Sequence, residues 1–159
     1  MIPEPLLKKY KARLIKLRRG DMIFHQGELA AYFHVVHAGK IKMMTYNNEG
    51  KEFVQGYFTE GLSFGEPPFF NHLPYPASAI AVTDSEIWKC SYDSFTKLLK
   101  DNHQIHLKLT EVLCGRLLYK SMMLSELAVE EAEHRLTTLI QYFKKTEKGN
   151  PAGGYKVPF

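Results

Sequence analysis

The sequence contains no run of 18 apolar residues, and this absence argues against a transmembrane helix. Its first 20 residues also lack the order of a signal peptide, because their charges are interleaved with apolar residues instead of preceding them. The 159 residues are 45% hydrophobic, which favours one buried core with an additional helical element. These features predict a soluble, cytoplasmic protein that does not contact a membrane.

Cysteine is also scarce. Cys90 and Cys114 lack the CxxC spacing of a metal site and fall in different predicted elements. We expect both to be buried free thiols and not a disulfide or a metal-binding pair. No Ser-His-Asp or Cys-His arrangement with a recognisable spacing occurs, so we expect a binding protein and not an enzyme.

The positive charge is confined to one end of the chain. The net charge is +4, but residues 1–20 hold seven Lys or Arg and one acid, whereas residues 21–159 hold 14 basic and 16 acidic residues. The body of the protein is therefore not a basic nucleic-acid-binding surface. The basic residues near the N-terminus alternate with leucines at three- and four-residue steps, which predicts an amphipathic helix.

Glycine is concentrated in the first half of the chain. Seven of the eleven glycines fall between residues 20 and 65, where they separate short runs that are typical of strands. Short strands with turn residues at this spacing predict an antiparallel sandwich or roll. The predicted strands are 22–25, 32–37, 40–46, 52–58, 78–82 and 86–90.

Beyond residue 90 the apolar residues recur at helical steps. The pattern predicts a helix over about 91–100, a longer one over about 104–128 and a third over 129–145. The longer helix carries two apolar stripes. One suits its own domain, and we expect the other to pack on a second copy of the chain, although a helix buried by both faces in its own domain is the alternative. The predicted dimer seam comprises Leu113, Leu117, Lys120, Leu124 and Leu127.

Short motifs follow one another along the chain in a particular order. They are Gly20-Asp21, Gln26-Gly27-Glu28, Gly39-Lys40-Ile41, Gly50-Lys51-Glu52, Phe64-Gly65-Glu66, Ala77-Ser78-Ala79 and Glu133-His134-Arg135-Leu136. This ordered set resembles the sensor domain of the Crp/Fnr superfamily of bacterial transcription regulators. The resemblance implies an α+β fold, in which an antiparallel β-roll or jelly roll like a cyclic-nucleotide-binding domain lies between an N-terminal helix and a long C-terminal dimerisation helix. The expected segments are 1–103 for the N-terminal helix and roll, 104–146 for the dimerisation helices and 147–159 for a hinge.

The same resemblance assigns a candidate ligand site. In relatives that bind cyclic AMP, the Gly-Glu loop is a phosphate-binding cassette: a glutamate accepts from the ribose hydroxyl, an arginine neutralises the phosphate, a serine donates to it, and residues of the long helix touch the base. By position, Gly65 and Glu66 match the start of the cassette, Tyr75 and Pro76 stand at the arginine and serine positions, and Ser121 on the long helix matches a residue that faces the base. The candidate site also includes Ala77 and Ser78, small residues that let a ligand approach, and Lys120.

Two of these positions depart from the family pattern. Tyr75 offers one neutral hydroxyl where an arginine offers a fixed cation, and Pro76 has no backbone N–H. The loss of both groups lowers the binding affinity for a cyclic phosphate at least about a hundredfold. No cofactor is therefore assigned. The resemblance implies cyclic AMP or another cyclic nucleotide, but the residues at the arginine and serine positions argue against its binding. Lys120, beside Ser121, would restore a charge if it turned inward.

We therefore expect a remodelled cassette. With Phe69 and Phe70 plugging the pocket, it binds a different, less anionic effector or is a fixed structural element. Haem bound through His72 is a further alternative, whereas the four-cysteine pattern of iron–sulfur relatives is absent from the sequence.

The resemblance implies the effector-sensing and dimerisation domain of a Crp/Fnr-type transcription regulator. Its partners would be a second copy of the chain, an unknown small-molecule effector, and DNA through a winged helix-turn-helix module that follows this domain in family members. This chain would then be a fragment of a longer regulator. The alternative is a stand-alone cyclic-nucleotide-binding-like module that acts through small-molecule or protein binding.

Overall fold

The computed structural model describes residues 2–47, 49–129, 137, 138, 140 and 141. The chain divides into two compact units, Met1–His106 and Leu107–Phe159. The helices are α1 (Glu4–Lys9), α2 (Glu66–Asn71), α3 (Tyr92–Asp101) and α4 (His103–Val129). The strands are β1 (Arg13–Leu17), β2 (Met22–Phe24), β3 (Tyr32–Ala38), β4 (Ile41–Tyr46), β5 (Glu52–Phe58), β6 (Ser63–Phe64), β7 (Ser78–Ala81) and β8 (Ser85–Ser91). Among the described residues, no helix combines the length and the apolar character needed to cross a membrane.

The strands form two four-stranded antiparallel sheets. The first has the order β1-β8-β3-β6 and the second the order β2-β7-β4-β5. An aromatic cluster joins their facing surfaces, because the ring of Phe24 on β2 lies 5.6 Å from His34 on β3 and 6.0 Å from Phe64 on β6. Phe58 on β5 adds a contact with Phe64 at 5.6 Å. The predicted α+β fold, an antiparallel β-roll with a short N-terminal helix and a long helix after the roll, is confirmed.

Strand β3 is buried on both faces. Successive residues of a strand point to opposite sides, so Phe33 and His34 lie on opposite faces of the first sheet. Phe33 stacks on Phe95 of α3 with ring centroids 3.7 Å apart, and it meets Phe69 of α2 edge-on at 6.0 Å. The helices therefore cover the outer face of the first sheet, and the second sheet covers its inner face.

Most of the predicted elements are present. Each of the six predicted strands agrees with the structure to within one residue at either end, and α3 and α4 begin within one residue of their predicted starts. The sequence patterns did not reveal β1, the two-residue β6 or α2. The helix predicted over 129–145 lies largely outside the described residues, and the segment 147–159 lies entirely outside them. The boundaries of the three predicted segments stay a prediction.

The predicted N-terminal amphipathic helix is wrong beyond Lys9. Helix α1 ends at Lys9, and Lys11 adopts a positive φ of 59°, which reverses the direction of the chain. The next residues form β1, which pairs with β8 so that Arg13 lies opposite Lys89. The leucine spacing fits a helix, but the hydrogen bonds to β8 stabilise a strand, and a local pattern cannot show that distant partner.

The two cysteines differ in burial. Cys90 is buried, as predicted, and burial raises the pKa of its thiol to about 11. Cys114 is exposed on α4, so the expectation of a buried thiol is wrong there. It lies one turn before Leu118, which is 68% exposed.

His34 is the polar residue of the interior aromatic cluster. Its side chain is 2% exposed, and neither ring nitrogen has a hydrogen-bond partner among the described residues. Burial, together with the nearby charge of Lys89, lowers the pKa of His34 to about 3. The imidazole is therefore neutral at pH 7, and folding opposes its protonation.

This burial predicts a loss of stability in weak acid. An unfolded histidine titrates near pH 6.5 and the folded one near 3, so stability is complete above about pH 6.5 and falls as the pH decreases below it. At pH 5 we expect the free energy of unfolding to be about 2 kcal/mol lower than at pH 7.5 through His34 alone. Urea unfolding at the two pH values measures the difference, and His34→Leu should remove that share. His25→Gln, at an exposed position, should keep it, and an unchanged pH dependence in His34→Leu would contradict the assignment.

Candidate functional site

The candidate cassette begins at the turn between β6 and α2. Gly65 has a φ of 75°, in the left-handed region that favours glycine, and it caps the N-terminus of α2. Pro67 and Pro68 occupy the first turn of this helix, where their missing N–H groups cost nothing. The helix ends after one and a half turns at His72, which also has a positive φ and whose ring lies 4.5 Å from Tyr92.

Glu66 is buried, although it stands in the first turn of α2. The residue is only 2% exposed. The Ser63 hydroxyl donates a hydrogen bond to its carboxylate, and Ser63 is fully buried on β6. The acceptor that the resemblance assigned to a ribose hydroxyl is thus bonded to a neighbour in the protein.

Tyr75 fills the place assigned to the cassette arginine. Its ring lies parallel to that of Phe24, with centroids 3.6 Å apart and planes inclined by 8°, and the residue is 4% exposed. The Tyr75 hydroxyl donates a long hydrogen bond of 3.3 Å to the backbone carbonyl of Tyr32. Burial, and to a lesser extent the Glu28 carboxylate, raises the pKa of this hydroxyl, so it stays neutral.

Gly65 closes the edge of this space. A Cβ at residue 65 would lie 3.0 Å from Cε1 of Tyr75 and 3.4 Å from Cζ of Phe24, so a larger residue would press against both rings. We call the space bounded by Phe24, Gly65 and the Tyr32 carbonyl, in which the ring lies, the Tyr75 slot. Its walls are an aromatic face, a backbone edge and one hydrogen-bond acceptor.

Main-chain hydrogen bonds hold the loop that carries Tyr75. The N–H of Gly27 donates to the Tyr75 carbonyl at 2.9 Å, and the N–H of Tyr75 donates to the Glu28 carbonyl at 2.8 Å. A β-bridge between Leu29 and Pro74 continues this pairing. The backbone at position 75 is therefore fixed to the segment that contains Gln26-Gly27-Glu28.

The remaining cassette residues, Pro76, Ala77 and Ser78, differ in burial and in hydrogen bonding. Pro76 is exposed and Ala77 is fully buried. The Ser78 hydroxyl accepts a hydrogen bond of 2.9 Å from the backbone N–H of Gln26, at the start of β7. The structure therefore brings Gly65 and Tyr75 into contact, whereas Ser78 is bonded to the neighbouring loop.

The prediction that Phe69 and Phe70 plug the pocket is wrong. Phe69 is fully buried, but it packs against Phe33 and Phe95 on the helical side of the first sheet. Phe70 contacts Phe69 and Phe95 on the same side. Because α2 is a helix and not an open loop, its phenylalanines point away from the interior of the roll.

Phe24 is the residue on which the Tyr75 ring stacks, and sequence reasoning missed it. Phe24 looked like an ordinary core residue of a short strand, and nothing in its spacing links it to a residue 51 positions later. The Gln26-Gly27-Glu28 motif, one residue after β2, was the available signal, since this motif holds the Tyr75 loop.

The seam and site residues that were predicted on the long helix all lie on α4. They belong to the second unit, which begins at Leu107. Leu117 is 66% exposed and Leu124 70% exposed, and Lys120 and Ser121 are also exposed. Leu113 is half-buried, and the side chain of Leu127 lies outside the described residues. The exposed leucines extend beyond the predicted seam, because Leu107 and Leu118 are 46% and 68% exposed.

Comparisons with known proteins agree with this arrangement. The family model of the cyclic nucleotide-binding domain matches residues 14–102. The chain is 28% identical over 153 residues to the cAMP-activated global transcriptional regulator CRP of Haemophilus influenzae, a match that covers 95% of this chain and 65% of that protein. The chain therefore spans somewhat less than two thirds of that relative's length.

Two solved structures are similar as well. The Thermus thermophilus catabolite activator protein has a TM-score of 0.72 at 25% identity, over 80% of this chain and 61% of that chain. The sensor domain of the transcriptional regulator DNR from Pseudomonas aeruginosa has a TM-score of 0.60 at 31% identity, over 72% of this chain and 76% of that chain. Since the family model matches more than half of its residues, the chain belongs to the cyclic nucleotide-binding domain family, in the form found in Crp/Fnr-type transcription regulators.

Proposed function

We propose that this chain is the effector-sensing and dimerisation domain of a Crp/Fnr-type transcription regulator and signals to a DNA-binding helix-turn-helix module. The observation that carries the proposal is the cassette, in which β6, Gly65 with its positive φ and the buried Glu66 follow one another as the family resemblance requires. The domain acts by binding and not by catalysis. The family match and the similarity to a regulator's sensor domain support this role.

The effector is not a cyclic nucleotide bound in the family's usual mode. Tyr75 occupies the arginine position with a neutral ring. This ring is stacked on Phe24, and its hydroxyl is bonded to the Tyr32 carbonyl. The charge that acts on its hydroxyl is that of the Glu28 carboxylate, which disfavours a phosphate. Pro76 has no N–H to donate, and it is exposed.

A second copy of the chain is the proposed partner of α4. Leu117 and Leu124 stand seven residues apart and are both largely exposed, so each would gain apolar burial in a helix pair. Exposed leucines along one helix are uncommon on a monomer surface. A two-fold pair of identical helices buries the same stripe from each copy.

Restoring the cassette groups tests the ligand assignment. We expect titration calorimetry to detect no submicromolar binding of cyclic AMP or cyclic GMP to the wild-type chain. Tyr75→Arg with Pro76→Ser should raise the affinity for cyclic AMP about a hundredfold, because two charge-assisted bonds to the phosphate return.

The matched control is Tyr75→Gln with Pro76→Ser, which empties the same place without adding a charge and should gain little. Adenosine, which has no phosphate, should not distinguish the two double variants, and circular dichroism checks that both fold. Submicromolar cyclic AMP binding by the wild-type chain would refute the assignment.

The dimer is tested by a charge on the exposed stripe. Sedimentation at micromolar concentration should give about twice the monomer mass of 18.3 kDa for the wild-type chain. Leu117→Glu should shift the protein to the monomer, because a buried unpaired carboxylate costs several kcal/mol. Lys108→Glu places the same side chain on a different side of α4 and should stay dimeric, whereas a monomeric wild-type chain would exclude this partner.

A further inference from the structure

We propose that the Tyr75 slot receives a planar, uncharged aromatic effector with one hydrogen-bond donor, which takes the place of the Tyr75 ring. This inference rests on the proposed function, because it identifies the chemical class of the effector that the cassette would sense. Phenols are the simplest members of the class. Tyr75 is then the internal occupant of the site and leaves it when the effector enters.

The shape of the slot fits a single ring. Phe24 provides a flat floor, since the Tyr75 ring lies parallel to it with centroids 3.6 Å apart and an inclination of 8°. Offset parallel stacking is a favoured geometry for two aromatic rings. The backbone of Gly65 limits the width, because even a Cβ there would come within 3.0 Å of the Tyr75 ring.

The polar end of the slot requires a donor. The Tyr32 backbone carbonyl accepts the bond from the Tyr75 hydroxyl, and the distance of 3.3 Å is long for an O–H···O bond. An effector hydroxyl in the same place would make this bond in full. A ring without a donor would leave this carbonyl without its side-chain partner.

Burial and the nearby Glu28 carboxylate disfavour an anion in the slot. Burial and the Glu28 carboxylate both raise the pKa of the Tyr75 hydroxyl, so a phenolate or a carboxylate in that place would be disfavoured for the same reasons. His34, whose ring is 5.6 Å from Phe24, is neutral at pH 7 and supplies no compensating charge.

The exchange requires a side-chain rotation and no unfolding of the loop. The hydrogen bonds from Gly27 to Tyr75 and from Tyr75 to Glu28 involve only main-chain atoms, so they persist when the ring leaves. Pro74 and Pro76 flank the residue and are both exposed, which places the loop at the protein surface. They also restrict its backbone.

The test removes the internal ring and supplies it from solution. Tyr75→Ala should bind p-cresol, the side chain of tyrosine as a free molecule, with a dissociation constant in the millimolar range or tighter by calorimetry, and p-cresol should raise its Tm. Toluene, which has no hydroxyl, should bind about fivefold more weakly. Benzoate should bind at least tenfold more weakly than p-cresol, because it is charged (~1.4 kcal/mol or more).

Two variants control for non-specific binding. Phe24→Ala in the Tyr75→Ala background removes the floor of the slot and should abolish p-cresol binding. Tyr57→Ala removes a tyrosine ring from an exposed position on β5 and should not create a p-cresol site. Equal binding by these controls, or equal binding of benzoate, would overturn the inference.

The wild-type chain provides the decisive measurement if Tyr75→Ala does not fold. With ring-labelled tyrosine, p-cresol should shift the NMR signal of Tyr75, which Tyr75→Phe identifies by its loss, and leave Tyr57 unchanged. An unshifted Tyr75 signal at saturating p-cresol in solution would refute the proposed exchange of the Tyr75 ring for an effector. The proposed function fails separately, because a monomeric wild-type chain in sedimentation would exclude the dimerisation role whether or not p-cresol binds.

Discussion

The burial of β3 on both faces is the constraint on which the rest of the fold depends. Phe33 on one face requires the cover that α2 and α3 provide, and His34 on the other requires the second sheet. A strand with two buried faces must have an element on each side, because either face exposed to water would lose the free energy of its apolar burial. The cassette contacts both sides of the first sheet. Helix α2 covers the outer face, and Gly65, just before α2, borders the interior between the sheets.

This position explains how the site can change its chemistry without changing its shape. Phe69 holds α2 against the helical side of the sheet, and the bonds between Gly27, Glu28 and Tyr75 hold the returning loop. Neither set of contacts involves the side chain at position 75. A cation or an aromatic ring can therefore occupy that position on the same backbone, and under the proposed function this side chain sets which class of ligand the interior accepts.

The sequence predicted the parts of the fold that local chemistry determines. Glycine-marked turns located six strands to within one residue, and the break at 101–102 separated α3 from α4. The errors occur where a distant partner decides the outcome. Residues 13–17 have a helix-like leucine spacing but form a strand because β8 pairs with them, and the two residues of β6 are a strand only beside β3.

The sequence indicated a candidate site but not the contacts within it. Matching short motifs to the family pattern assigned Gly65, Glu66 and Tyr75 to the cassette, and elementary chemistry indicated that Tyr75 and Pro76 cannot serve a phosphate as arginine and serine do. The contact of Tyr75 with Phe24 could not be predicted from the sequence, because Phe24 is 51 residues away and belongs to a three-residue strand with no distinctive pattern. For the same reason the sequence suggested the adjacent Phe69 and Phe70 as the plug, whereas the helical geometry of α2 directs them outward.

Under the proposed function, a ring in place of a charge at position 75 also changes how an effector would act. A phosphate attracts an arginine toward itself, so ligand and protein form a new bond between opposite charges. A tyrosine already bonded and stacked must first be displaced, so the free energy of the Phe24 contact is subtracted from the affinity of any effector in the same slot. Under the proposed exchange, such a domain responds only to ligands that match the Tyr75 side chain closely. Without such a ligand, the Tyr75 ring itself occupies the slot.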